Sequence, residues 1–128
     1  MSYYHAKTVD LSFEDAIEKA RLELKERGFG VLTEIDIKST LKEKLDVDFR
    51  KYRILGACNP PFAYQALLAE SHIATMLPCN VIVQELENGQ VEVAAVDPMA
   101  SMQAVQNESL GEIAGEVDRR LREVIAAI

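Results

Sequence analysis

The dipeptide Asn88-Gly89, set between two runs of alternating apolar residues, restricts this chain more than any other feature of its sequence. Residues 79–86 and 90–96 read as strands. A two-residue type I′ turn needs positive φ at both central positions, which Asn-Gly supplies with little strain. The two strands must then pair antiparallel. A two-residue loop also sets a register: Glu87 faces Gln90, Glu85 faces Glu92, Ile82 faces Ala95 and Asn80 faces Asp97. Like charges opposite each other on a ladder repel, so that face should be wet near the turn.

The flanking sequence continues in short, punctuated elements. Residues 3–9 form a first strand. Ser12 follows as a helix N-cap with Asp15 as its capping-box partner. Phe13, Ala16, Ile17, Ala20 and Leu24 make one apolar stripe at helical spacing, and Gly28 ends it. Val31, Thr33, Ile35 and Ile37 alternate as a strand does. A short helix is expected after Ser39, burying Leu41 and Leu45. Residues 52–58 form the next strand, stopped by Asn59-Pro60-Pro61. Asn59 caps a helix there, and Pro60 suits its first position. That helix carries the small face Ala63, Ala66 and Leu67. Asp97-Pro98 opens a short helix through Met102. The last helix is expected from Ser109, with Glu112 completing a capping box. Leu110, Ile113, Val117, Leu121, Val124 and Ile128 form its buried stripe. Glu116–Arg120 and Asp118–Arg122 read as exposed i,i+4 pairs.

The order is therefore β-α-β-α-β-α-β-β-α-α. It defines an α+β fold, one domain over residues 1–128, with a mixed sheet and helices mainly on one face. No repeat, linker or low-complexity tract interrupts it. The 128 residues are 48% hydrophobic and contain no Trp, so the core is aliphatic. A net charge of −7 argues against nucleic acid and anionic membranes as partners. The basic residues Lys42, Lys44, Arg50, Lys51 and Arg53 are explained by solvated charges beside a short helix. The first residues do not read as a signal peptide, and no apolar run is long enough for a membrane span. Two cysteines without a secretion signal point to reduced thiols and a cytoplasmic protein.

Three stretches at strand ends hold the candidate chemistry: residues 55–60 with Cys58 and Asn59, residues 77–80 with Cys79 and Asn80, and residues 96–98 with Asp97. If the strand of residues 52–58 runs beside the hairpin in parallel, all three stretches meet. Cys58, Asn59, Cys79, Asn80 and Asp97 would then form one ligand pocket. Cys58 precedes a helix N-terminus, which lowers a thiol pKa, but Pro60 and Pro61 offer no N–H to an anion. A small buried thiol at a strand end is the plainer reading. Cys58, His72 and Cys79 make a possible metal set with Asp97 as fourth ligand, at a spacing that matches no zinc motif. His5 reads as an ordinary strand histidine. A Ser71-His72-Asp97 triad, a Glu70/Asp97 acid–base pair and a Met99/Met102 stripe each have simpler explanations in solvation, capping and core filling. The glycines are scattered and form no phosphate loop. No cofactor is indicated.

These stretches, with residues 30–36 and 52–66, resemble the family catalogued as domain of unknown function 302, over about residues 12–102. The resemblance implies a small α+β domain, commonly a homodimer, with no established activity. Members often carry His where this chain has Tyr64, so no role resting on that His transfers here. An exposed hairpin edge would add a reason to dimerise. Three functions are open: a homodimeric domain that binds or senses a small molecule, a thiol- or metal-dependent enzyme using the same corner, and a structural interaction module.

Overall fold

The computed structural model describes residues 2–128. Its elements run β1 (Tyr4–Val9), α1 (Phe13–Glu26), β2 (Gly30–Asp36), α2 (Ile37–Leu45), β3 (Tyr52–Cys58) and α3 (Pro60–Ala69), then a 3-10 helix (Ser71–Met76). β4 (Cys79–Glu85), β5 (Val91–Val96), α4 (Pro98–Ser101) and α5 (Glu108–Ala127) complete the chain. The expected order holds. The five strands lie in the order β1-β5-β4-β3-β2, and every neighbouring pair is antiparallel. The sheet is thus not mixed.

The reason lies in where the helices connect. β2 and β3 are neighbours joined at one end of the sheet, where Asp36 pairs with Arg53. Antiparallel neighbours need no crossover, so α2 only bridges that end. It buries no residue, and Leu45 is 66% exposed, against the expectation that Leu41 and Leu45 would be covered. The helix also starts earlier than Ser39, because Asp36 is the N-cap and its side chain accepts from the Ser39 N–H at 3.0 Å. α3 and the 3-10 helix similarly bridge β3 to β4 at the opposite end, where Ala57 pairs with Cys79. Only α1 must cross the whole sheet, from edge strand β1 to edge strand β2. It does so over one face, and α5 packs beside it.

Leu55, Ala57, Val81, Val83, Val93 and Ala95 point from the sheet into that layer and are buried. Phe13, Ala16, Ala20 and Leu24 of α1 meet them, with Val117, Leu121 and Val124 of α5. Ser12 caps α1 by accepting from the Asp15 N–H at 3.0 Å. Gly28, at φ +87°, carries the chain out of α1 in the left-handed region that glycine tolerates. α5 begins one residue before Ser109, because Asn107 is its cap and accepts from the Ser109 N–H at 3.0 Å. Asn107 also donates through Nδ2 to the Ala69 carbonyl at 2.8 Å, which ties the end of α3 to α5.

The hairpin departs from the two-residue turn. Leu86 N–H donates to the Gln90 carbonyl, and Gly89 N–H donates back to the Leu86 carbonyl. The loop is therefore Glu87-Asn88-Gly89. Only Gly89 has positive φ, at 84°, so Asn88 does not supply the second such position. This is a type I turn closed by a left-handed glycine, the usual three-residue hairpin. The register moves by one: Val81 pairs with Ala95, Ile82 with Ala94, and Glu85 with Val91. Gln84, not Glu85, faces Glu92, and its Nε2 donates to Glu92 Oε1 at 2.9 Å. The like-charge pair does not form. The hairpin also occupies the middle of the sheet, so it has no exposed edge.

Candidate functional site

A cavity of about 320 Å³ opens at the sheet end where β3 finishes and β4 begins. The local sequence explains it. Asn59 stops β3 and caps α3, accepting from the Phe62 N–H at 3.4 Å, and Pro60 and Pro61 start the helix turning away from the sheet. The wall of α3 facing inwards is Ala63 and Ala66, and α5 presents Ala114 across from them. Methyl groups cannot fill the space between two helices and a sheet end, so a hollow remains. Phe29, Phe62 and Leu77 help to bound it, and among the described residues no charged side chain lines it.

Cys58, Asn59 and Cys79 all line this cavity. Cys79, at the start of β4, is buried at 8% exposure, while Cys58 is half-buried. Burial, and secondarily the neighbouring Cys58, pushes the Cys79 thiol up from 9.0 to about 11. It is protonated at neutral pH and therefore a poor nucleophile and a poor metal ligand. Both cysteines are free. They come together through a pairing other than the parallel one expected. β3 is antiparallel to β4 and shares its direction with β5 across it.

The other candidates lie elsewhere. Asn80 pairs with Gly56 and is exposed on the face of the sheet opposite to Cys79. Asp97 is not in the cavity wall, although Pro98 and Met102 are. His72 is 89% exposed on the 3-10 helix, its ring 3.4 Å from Ser71 Oγ and 3.7 Å from a Glu70 oxygen. Among the described residues, Cys58, His72 and Cys79 do not gather as a ligand set, and Asp97 lies beside His5 while His72 lies beside Glu70. Tyr64 is 65% exposed on the outside of α3.

Asp97 instead joins a group the sequence did not reveal. Its carboxylate caps α4, with Oδ1 accepting from the Met99 and Ala100 N–H groups, while Oδ2 lies 3.8 Å from His5 Nε2. The same ring nitrogen is 2.7 Å from Asp118 Oδ1, and Arg122 Nε reaches Asp118 Oδ2 at 2.9 Å. Asp118 is buried, so Asp118–Arg122 is not the exposed pair expected. His5 is likewise the link between β1, α4 and α5 rather than an ordinary strand residue. Among the described residues, His5, Asp97 and Asp118 form the one set of three whose ligand atoms lie within 4.8 Å of one another, as a metal ion would require. Here those atoms are engaged with each other, with Arg122 and with the start of α4. Sequence spacing gives no sign of the group, because His5 and Asp118 stand at opposite ends of the chain.

An antiparallel sheet backed by two helices, with a hollow at one strand end, defines a small two-layer α+β domain. The profile of the family described as domain of unknown function DUF302 matches residues 5–128. The chain belongs to that family. It is similar to the uncharacterized conserved protein DUF302 from Bacillus stearothermophilus, known from a crystal structure. The two share 28% sequence identity and a TM-score of 0.92, over 99% of this chain and 98% of that one. No curated protein matches. Among the described residues, no helix is long and apolar enough to cross a membrane.

Proposed function

We propose that this domain binds or senses a small, uncharged, largely apolar molecule in the cavity beside Cys58 and Cys79. The reading rests on the cavity itself: about 320 Å³ of space with Ala63, Ala66 and Ala114 in its wall and, among the described residues, no charged group to satisfy an ionic ligand. An ion buried there without a partner would lose several kcal/mol or more of hydration. An apolar molecule gains from leaving water, and the Asn59 amide and Cys58 thiol at the wall can orient one polar atom of it. The protonated Cys79 favours binding over thiolate chemistry. The domain acts as a homodimer in a reducing compartment such as the cytoplasm, in keeping with its two free thiols.

Binding of the uncharged fluorophore Nile red tests the reading. Emission should rise and shift to the blue on binding, and Ala63→Leu, which fills the hollow from a partly exposed wall position, should abolish the change while the circular dichroism spectrum is kept. Equal binding by folded Ala63→Leu would refute the site.

A further inference from the structure

The cavity beside Cys58 and Cys79 is a slot whose two ends differ. Leu32 and Thr33 of β2 line it, then Cys58 at the end of β3, Cys79 at the start of β4, and Pro98 just after β5. These strands stand side by side in the order β5-β4-β3-β2. The lining therefore spans three strand spacings, about 14 Å. In the other direction α3 and α5 close the space down, since their Cα atoms approach within 8 Å of each other. Ile113 packs against the main core and also against the smaller cluster of Ala66, Ile73 and Leu110, so the slot follows the seam between two cores. The β2–β3 end holds the polar atoms. Asn59 is 6% exposed and accepts through Oδ1 from the Phe62 N–H, while its Nδ2 donates to no acceptor among the described residues. The Cys58 thiol stands beside it, and the Thr33 hydroxyl lies against Gly56, where a methyl group would overlap it. The α4 end carries only apolar side chains: Leu77, Pro98, Met102 and Ile113. The opening is apolar too. The β2 register slips between Val31 and Thr33, which leaves Leu32 unpaired and 69% exposed beside the slot. Such bulges re-aim a side chain next to a site. Leu67 of α3, 42% exposed, also lines it.

We infer that the ligand is an unbranched aliphatic chain with one uncharged oxygen at its head, as in an alcohol, aldehyde or ester. The inference rests on the apolar-cavity reading above and names the class of molecule. The head lies at the β2–β3 end. There the Asn59 Nδ2 gains an acceptor, and the ligand oxygen keeps a partner as it leaves water. The tail runs along the seam toward Met102, whose flexible thioether adapts to chains of different length. A compact ring would reach the polar end or the α4 end but not both. A carboxylate head has no partner here. Among the described residues no cation lines the slot, and Arg120, behind Phe62, is engaged by Glu116 and the Arg27 carbonyl. The slot lies on the helix-covered side and takes nothing from the open face of the sheet, which no helix covers.

Competition against Nile red on the full chain tests this. 1-Octanol should displace the dye at about a tenth, or less, of the concentration that cyclooctanol or octanoate requires. Equal displacement by cyclooctanol would overturn the chain, and equal displacement by octanoate the uncharged head; either result sinks the inference. Nile red that binds the wild type, is lost in Ala63→Leu and resists 1-octanol would overturn this inference and leave the cavity reading standing. A wild type that binds neither would overturn both. Methyl NMR of the wild type measures the reach of the chain without any variant. 1-Octanol should shift the Thr33, Ala63 and Met102 methyls with one dissociation constant, and 1-propanol only the first two. A Met102 methyl that 1-octanol leaves unmoved would overturn the inference. Asn59→Ser keeps a capping oxygen and withdraws the amide. It should bind 1-octanol about tenfold more weakly and benzene as before. Unchanged 1-octanol affinity in the folded variant would overturn the placing of the head.

Discussion

Two groups of residues sit at the same end of one sheet and have opposite characters. The cavity beside Cys58 and Cys79 is apolar, and its walls combine alanine methyls with Phe29, Phe62 and Leu77. The cluster of His5, Asp97 and Asp118 is polar and already occupied by its own members. α5 connects them: Val117 lines the cavity and the next residue, Asp118, holds His5. The difference teaches where a partner can gain. A histidine and two carboxylates that satisfy one another, with Arg122 and the α4 backbone taking the remaining oxygens, have little left to offer a ligand. An apolar wall open to water instead rewards an apolar molecule, which leaves water and gains dispersion contacts there.

Removing the helix anchor should disturb both regions together. Leu121 is fully buried under the sheet, and Leu121→Ala should cost about 2–5 kcal/mol in urea melts. A loss below about 0.5 kcal/mol would mean that α5 is not what holds the cavity and the polar cluster in place.

Raising the pH should separate the two regions. The folded Cys79 thiol titrates near 11 instead of 9.0. Between these values the unfolded chain ionises and the folded chain does not. The stability conferred by the neutral thiol is thus complete below about pH 9 and lost as pH climbs toward 11. The loss amounts to roughly 2–3 kcal/mol for this one group. Melts compared with Cys79→Ala isolate it, and identical pH profiles for the two proteins would show that Cys79 is not shielded as described.

The polar cluster should respond to cutting its centre. Asp118→Ala leaves His5 and Arg122 without their acceptor and should cost about 1–3 kcal/mol. A double-mutant cycle with His5→Ala should give a coupling of at least about 0.5 kcal/mol, and additive losses would mean that the two residues are not one unit. The same cycle sharpens the cavity. Cys58→Ala and Cys79→Ala should also depart from additivity, by about 0.5 kcal/mol, if the two thiols share one wall.

How much of this could be read in the sequence depended on the range of the interaction that fixes each feature. The caps at Ser12, Asn59 and Asp97 and the strand of residues 52–58 were legible, because each is set by neighbours a few residues away. The hairpin was legible as a hairpin, but its register was not. Asn88-Gly89 suits a two-residue loop and equally the last two positions of a three-residue one, and a one-residue slip turns every side chain to the other face. The expected register set Asn80 beside Asp97, but alternation along β4 puts it on the face opposite to Cys79 in any register. Asp97 was recognised as a cap, yet its partner His5 was invisible because β1 joins the sheet beside β5 only in the folded chain. α2 misled for a further reason: Leu41 and Leu45 have helical spacing, but a helix that bridges neighbouring strands has no face to cover.

The most direct test is a titration of the methyl-labelled protein with benzene, followed by carbon–proton NMR. Shifts should move at Ala63, Ala66 and Ala114 and saturate together, while Ala94 on the open face and Ala100 beside Asp97 stay still. Perturbations centred on Ala94 or Ala100, or none that saturate, would contradict the assignment of ligand binding to the strand-end cavity.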